Sequence, residues 1–136
     1  MGDRTALVTE ALGRDAASSA HGWRVLRADD DGLAFAFEVG SQHLNPAGVC
    51  HGGVIFHLAD SIIGSDANSR DADTWLTAGS SIKFLAPVRA GETLVATSRL
   101  RFAAGSSTRW YEAEILSGER LVAVAEAQMV RIRGGA

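Results

Sequence analysis

One cysteine, two prolines and no block of basic residues mark what is scarce in this 136-residue chain. The lone Cys50 cannot close an internal disulfide, and one Cys with four scattered His matches no zinc-ligand spacing, so no metal site is expected. Thirteen Lys plus Arg against 16 Asp plus Glu leave a formal net charge of −3, which is no surface for tracking a phosphate backbone, and no nucleic-acid partner is expected. No apolar run approaches the ~18 residues that span a bilayer. Asp3, Arg4 and Glu10 interrupt the stretch where a secretory leader keeps its apolar segment. A cytoplasmic protein without a membrane partner is therefore the expectation. The scarcity of proline beside 15 glycines also excludes the low-complexity composition of a linker.

What remains is a chain that is 46% hydrophobic and 21% charged, long enough to bury about two thirds of its unfolded surface in one core. A single domain over residues 1–136 is expected. Residues 3 to 12 read as a short, peripheral amphipathic helix, with Asp3 to cap it and Gly13 to stop it. Extended runs at 23–26 and 33–39 flank Asp29-Asp30-Asp31-Gly32 and make a hairpin. A helix begins after His51-Gly52-Gly53, with Val54, Leu58 and Ile62 in one stripe and Ile55, Ala59 and Ile63 beside it, and decays near 68–70. Apolar on most of its circumference, it should be buried. Four more extended stretches follow at 75–85, 93–102, 108–116 and 121–132. In the second, Leu94, Ala96, Leu100 and Phe102 share a face opposite Val95, Thr97, Arg99 and Arg101. One apolar helix and six strands imply an α+β layer pair, a curved antiparallel sheet wrapped on the helix.

Between Gly52 and Ser65 the only formal charge is Asp60, set in Leu58-Ala59-Asp60-Ser61-Ile62. Burying an unpartnered carboxylate is costly, so Asp60 either meets a solvated gap or serves as a general base or nucleophile. At the start of the same helix, Gly52 and Gly53 carry no side chains where backbone N–H groups are unpaired. The pair is either a tight turn or an oxyanion hole. The eight residues from Gly52 to Asp60 cover about 12 Å of helix, whereas reacting groups lie within ~3.5 Å. One helix cannot serve both roles; two copies packed edge to edge about a two-fold axis can, so an enzyme here is expected to be a dimer with composite sites.

Taken together, Asn45-Pro46-Ala47-Gly48-Val49-Cys50-His51-Gly52-Gly53-Val54-Ile55-Phe56-His57-Leu58-Ala59-Asp60-Ser61, then Ile82-Lys83-Phe84-Leu85-Ala86-Pro87 and Gly91-Glu92, resemble the hotdog-fold acyl-CoA thioesterases, in particular the phenylacetic acid degradation (PaaI-like) type. The resemblance runs from about residue 20 to 132. It implies a hotdog fold and hydrolysis of a thioester between coenzyme A and an acyl group, aryl-acetyl or medium-chain, with acyl-CoA as substrate and no cofactor. Asp60 then matches the acid that activates water or attacks the carbonyl, and Gly52 matches the N–H that binds the thioester oxygen. His51 matches a histidine that either bonds near the thioester or orders the loop. Asn45 matches an asparagine that lines the site or, on its own spacing, shapes the turn before Pro46. Gly53, Phe56 and Gly64 are expected beside the substrate, with Trp75 as a second ring. A hydroxyl from the strand after the helix falls on Thr77. Strict alternation sets Thr77 opposite Ile82 and Phe84, so it needs a bulge, with Ser80 or Ser81 as substitutes. A homotetramer, as a dimer of dimers, is the expected assembly.

Two other activities fit a hotdog domain: an acyl-CoA-binding module without catalysis, and a hydratase or dehydratase, which needs a His paired with an acid. Cys50 beside His51 reads as a packing residue, since neighbours in sequence do not face each other. Arg89, Arg99, Arg101 and Arg109 are candidates for the nucleotide phosphates of coenzyme A.

Overall fold

A computed structural model describes residues 2–132, so Met1 and residues 133–136 of the expected domain lie outside the described residues. Two helices, α1 (Thr5–Arg14) and α2 (Ala16–Ser19), precede the hairpin of β1 (Arg24–Asp29) and β2 (Gly32–Glu38). A short 3-10 turn at Ser41–His43 leads to the long helix α3 (Gly52–Asn68). Strands β3 (Thr74–Phe84), β4 (Thr93–Ala104), β5 (Thr108–Ser117) and β6 (Arg120–Ile132) complete one antiparallel sheet in the order β1-β2-β4-β5-β6-β3. The α+β expectation of one long helix on six strands is borne out. No helix is long and apolar enough to cross a membrane among the described residues.

The core is the apolar face of α3 against the sheet. Ile55, Leu58, Ala59, Ile62, Ile63 and Ala67 are buried together with Phe35, Phe37, Leu94, Tyr111 and Ile115. Each large aliphatic side chain in that layer contributes roughly 1.5–3 kcal/mol by leaving water. The β1–β2 turn requires glycine at Gly32, where φ is 141° and a Cβ would stand 2.0 Å from the Ser98 carbonyl oxygen.

Three details depart from the sequence reading. Gly13 does not stop α1, which runs on to Arg14 and ends because the Asp15 side chain caps α2, accepting from the Ser18 N–H. Nor is α1 peripheral: Val8 is buried, and the Arg4 guanidinium just before the helix reaches Asp66 in α3 and the Asp29 carbonyl. Phe102 does not share the face of Leu100, because the β4–β5 register slips between them and sends Phe102 out beside Trp110.

His21, His43 and His57 come from three separate segments and gather with Trp23 and Phe37. His21 stacks on Trp23 at 4.9 Å between ring centroids and lies 5.0 Å from His57 and 5.5 Å from His43. Burial, and then the nearby His57 and His43, lower the pKa of His21 below its ordinary 6.5. The folded protein thus binds fewer protons at this group than the unfolded chain does. The resulting stability is complete above pH 6.5 and is lost as pH falls through the folded value. Melting temperatures measured from pH 8 to pH 5 should fall over that window, and His21→Phe should flatten the fall; an equal slope in both proteins would count against the assignment.

Candidate active site

Helix α3 starts where His51, at its N-cap, accepts the Gly53 N–H on Nδ1 at 3.0 Å. That bond orders the helix start and takes the Gly53 donor. The Gly52 N–H next to it donates to no acceptor among the described residues. It sits at the positive end of the helix dipole. Gly52 lines a pocket of about 350 Å³ with Cys50, Ile55, Phe84, Leu85 and Val88, and a Cβ on it would meet the Phe84 ring at 3.0 Å. The loop before it is shaped by Asn45, whose Oδ1 accepts from the Ala47 and Val49 N–H groups at 3.0 and 3.3 Å. Asn45 is therefore a turn former in this chain.

Two turns along α3, Asp60 opens into a different pocket, of about 300 Å³, lined by Gly64, Trp75, Thr77 and Met129 and by Ala11, Leu12 and Asp15 from α1 and its C-terminal end. Thr77 Oγ1 lies 3.0 Å from Asp60 Oδ1 and 3.4 Å from Met129 Sδ. A hydroxyl has one proton, and the carboxylate is the stronger acceptor, so Thr77 donates to Asp60. Asp60 Oδ2 has no partner among the described residues. The bulge that the alternation demanded is present: the β3–β6 register shifts between Thr77 and Gly79, so Thr77 faces α3 while Phe84, farther along the strand, still meets Gly52. Ser80 and Ser81 bond Glu126 instead, leaving Thr77 as the hydroxyl on the acid.

The surroundings of Asp60 differ from the apolar setting of its sequence neighbours. The carboxylate is exposed in the single chain, because it points towards β3, an edge strand, and not into the body of the sheet. A Cβ on Gly64 would meet nothing within 4 Å, consistent with open space beside the acid. Of the two rings expected at the substrate, Trp75 lines the Asp60 pocket but is buried, with the Arg109 guanidinium 3.9 Å over its ring centroid. Phe56 lines neither pocket.

Burial pushes the Cys50 thiol up to about 11, which suits a packing residue and not a thiolate nucleophile. Arg99 and Arg101 both hold Glu112, and Arg109 holds Asp71, so three of the four candidate phosphate-binding arginines have protein partners. The sequence reading missed Ala11, Leu12 and Asp15 as neighbours of the acid. Only the fold of the N-terminal segment across α3 brings them there.

The arrangement within one chain is thus a hydrogen-bonded carboxylate in one pocket and an unpaired N–H in another. Comparison with known proteins places the chain in a family. The family model of the thioesterase superfamily matches residues 47–124. The acyl-coenzyme A thioesterase PaaI of Escherichia coli K12 is 33% identical over 121 residues, covering 88% of this chain and 85% of that protein. The structure of the E. coli PaaI protein from the phenylacetic acid degradation operon superposes with a TM-score of 0.88 at 30% identity, covering 97% of this chain and 96% of the other. A Thermus thermophilus protein matches with a TM-score of 0.78 at 28% identity, over 84% of this chain and 95% of its own. With more than half of the chain matched by the family model and with the hotdog sheet and helix in place, the chain belongs to the thioesterase superfamily, in its PaaI type.

Proposed function

We propose that the protein hydrolyses the thioester between coenzyme A and an aryl-acetyl or medium-chain acyl group, in sites each built from two protomers. The carrying observation is the Thr77–Asp60 pair, a carboxylate with one oxygen held by a hydroxyl and the other open to a pocket. So placed, Asp60 takes a proton from a water, and the resulting hydroxide attacks the thioester carbon. The negative charge that develops on the carbonyl oxygen is received by the N–H of Gly52 of the partner subunit. The C–S bond then breaks, and the departing thiolate recovers the proton from Asp60. His51 and Asn45 act by holding the loop that presents this N–H.

The composite site follows from distance. The two groups stand about 12 Å apart along one α3, several times the reach of an attacking water. Pairing β3 with its copy about a two-fold axis sets the helices antiparallel and brings each acid to the other helix's N-terminus. β3 suits this role: it is 11 residues long, has a free edge, carries Lys83 as its only charge, and leaves Leu76 and Phe84 about half exposed, at 50% and 51%. A long, nearly uncharged edge without such a partner is an aggregation hazard. β1, at the other edge, has six residues, including Arg24, Arg27 and Asp29.

The test is complementation. Asp60→Asn and Gly52→Pro chains, each nearly inactive alone in an assay of thiol release from acyl-CoA esters, should regain part of the wild-type rate when their subunits are exchanged, because a heterodimer contains one intact site. No recovery after exchange verified by mass spectrometry would place both groups in one chain and refute the composite site.

A further inference from the structure

The Asp60 pocket has a second carboxylate. Asp15, between α1 and α2, lines it alongside Ala11 and Leu12, and the lining contains no Lys or Arg. Asp15 is not free to swing away. The Ser18 N–H donates to its Oδ1 at 3.0 Å and the Ser18 hydroxyl to its Oδ2 at 2.7 Å. Since the Ser18 proton is spent there, the 2.9 Å contact between the Ser18 and Ser61 hydroxyls has Ser61 as donor, and the Trp23 Nε1–H in turn donates to Ser61 at 3.2 Å. Three donors thus point one way, from the indole of Trp23 to Asp15, through the residue that follows Asp60 in α3. The two Ser18 bonds favour the charged form, and Asp15 is held below the usual carboxylate range, first by the Ser18 N–H.

We propose that Asp15 is a specificity-determining residue, whose fixed negative charge in the pocket wall excludes acyl groups ending in a carboxylate and reserves the site for neutral ones. This rests on the proposed hydrolysis at Asp60, with the acyl group entering the pocket beside that acid. An acyl chain with a terminal carboxylate would bring a third negative charge into a space of about 300 Å³ already holding Asp15 and Asp60. Like charges that share one pocket repel each other. The N-terminal segment that supplies Asp15 lies outside the residues matched by the family model, 47–124. The charge is therefore supplied by the segment that precedes those residues.

Hexanoyl-CoA and adipoyl-CoA differ in one respect, a methyl against a carboxylate at the end of a six-carbon chain. Asp15→Asn removes the charge and retains a residue that caps α2 well. Asp15→Ser, a second neutral cap, takes its place if the first variant fails to fold, with folding followed by circular dichroism. Both substrates are assayed at pH 8, above the range in which histidines ordinarily titrate, and dissociation constants are measured by calorimetry for the two non-hydrolysable thioether analogues. The adipoyl-to-hexanoyl ratio of kcat/KM, and of affinity, should rise about tenfold in the neutral variant. A rise below threefold overturns the proposal. If the wild-type chain hydrolyses no ester but the affinity ratio moves as expected, the hydrolase reading fails and Asp15 keeps its role. If neither analogue binds, both fall.

Discussion

Asp60→Asn is expected to lower kcat for acyl-CoA hydrolysis by at least ~10², the lower range for loss of a positioned general base. The substitution preserves volume, and the remaining amide oxygen still accepts from Thr77 Oγ1, which lies 3.0 Å from Asp60 Oδ1 in the native chain. What it removes is the negative charge that draws the proton from water. An amide cannot take up that proton, so chemistry fails while the pocket survives. KM should therefore change much less than kcat, the pattern of an interaction used in the transition state and not in ground-state binding. Steady-state kinetics across a panel of CoA esters gives both numbers, and turnover near the wild-type rate would falsify the role of Asp60.

The second large effect concerns a different aspartate. Asp66 is fully buried, at 0% exposure, and meets the 3%-exposed Arg4 at 3.1 Å, Arg70 at 2.7 Å and the Ser98 hydroxyl at 2.7 Å. Arg4 also donates to the Asp66 carbonyl, Ser69 and the Asp29 carbonyl, while Ser98 receives the Leu33 N–H. One carboxylate therefore fastens α1, α3, β2 and β4 to one another. Asp66→Ala leaves the buried Arg4 guanidinium without its carboxylate, and breaking a buried pair by removing one partner costs about 3–5 kcal/mol. In a chain of this size that lowers Tm by roughly 10–20 °C. Calorimetry at matched protomer concentration measures it, and a fall of only one or two degrees would show that water takes over the vacated bonds. Because Arg4 anchors the segment that carries Asp15, the same variant should loosen the wall of the Asp60 pocket.

Asp66 shows why part of this molecule was hidden from sequence reading. Apart from Arg70, four residues on, its partners lie 62 positions away at Arg4 and 32 away at Ser98. No periodicity or local spacing links such residues. Asp60 was conspicuous because it interrupts an apolar stripe, yet it is the exposed acid of α3 and Asp66 the buried one. Apolar neighbours in sequence report the helix's average burial and not the direction of one side chain. Thr77 was better determined: alternation along β3 conflicted with its expected place, which left either a bulge or Ser80 or Ser81 in its stead, and the shift between Thr77 and Gly79 is there. Arg101 marks the opposite outcome, since the slip between Leu100 and Phe102 broke an alternation that looked regular.

The sequence by itself determined the elements and their class: the period of 3.6 in α3, the period of 2 in the strands and the glycine-bearing turns are local properties, each written within a few residues. It also determined that Gly52 and Asp60 lie too far apart on one helix to serve one thioester, because the rise per residue of a helix is constant. Tertiary structure alone decided which side chains share a pocket. Asp15, Leu12, Trp75 and Met129 converge on Asp60 from the N-terminal segment, β3 and β6. Their meeting is set by how the sheet closes on α3 and how Arg4 pins the N-terminal helices, long-range contacts whose energies depend on packing in three dimensions and leave no pattern along the chain.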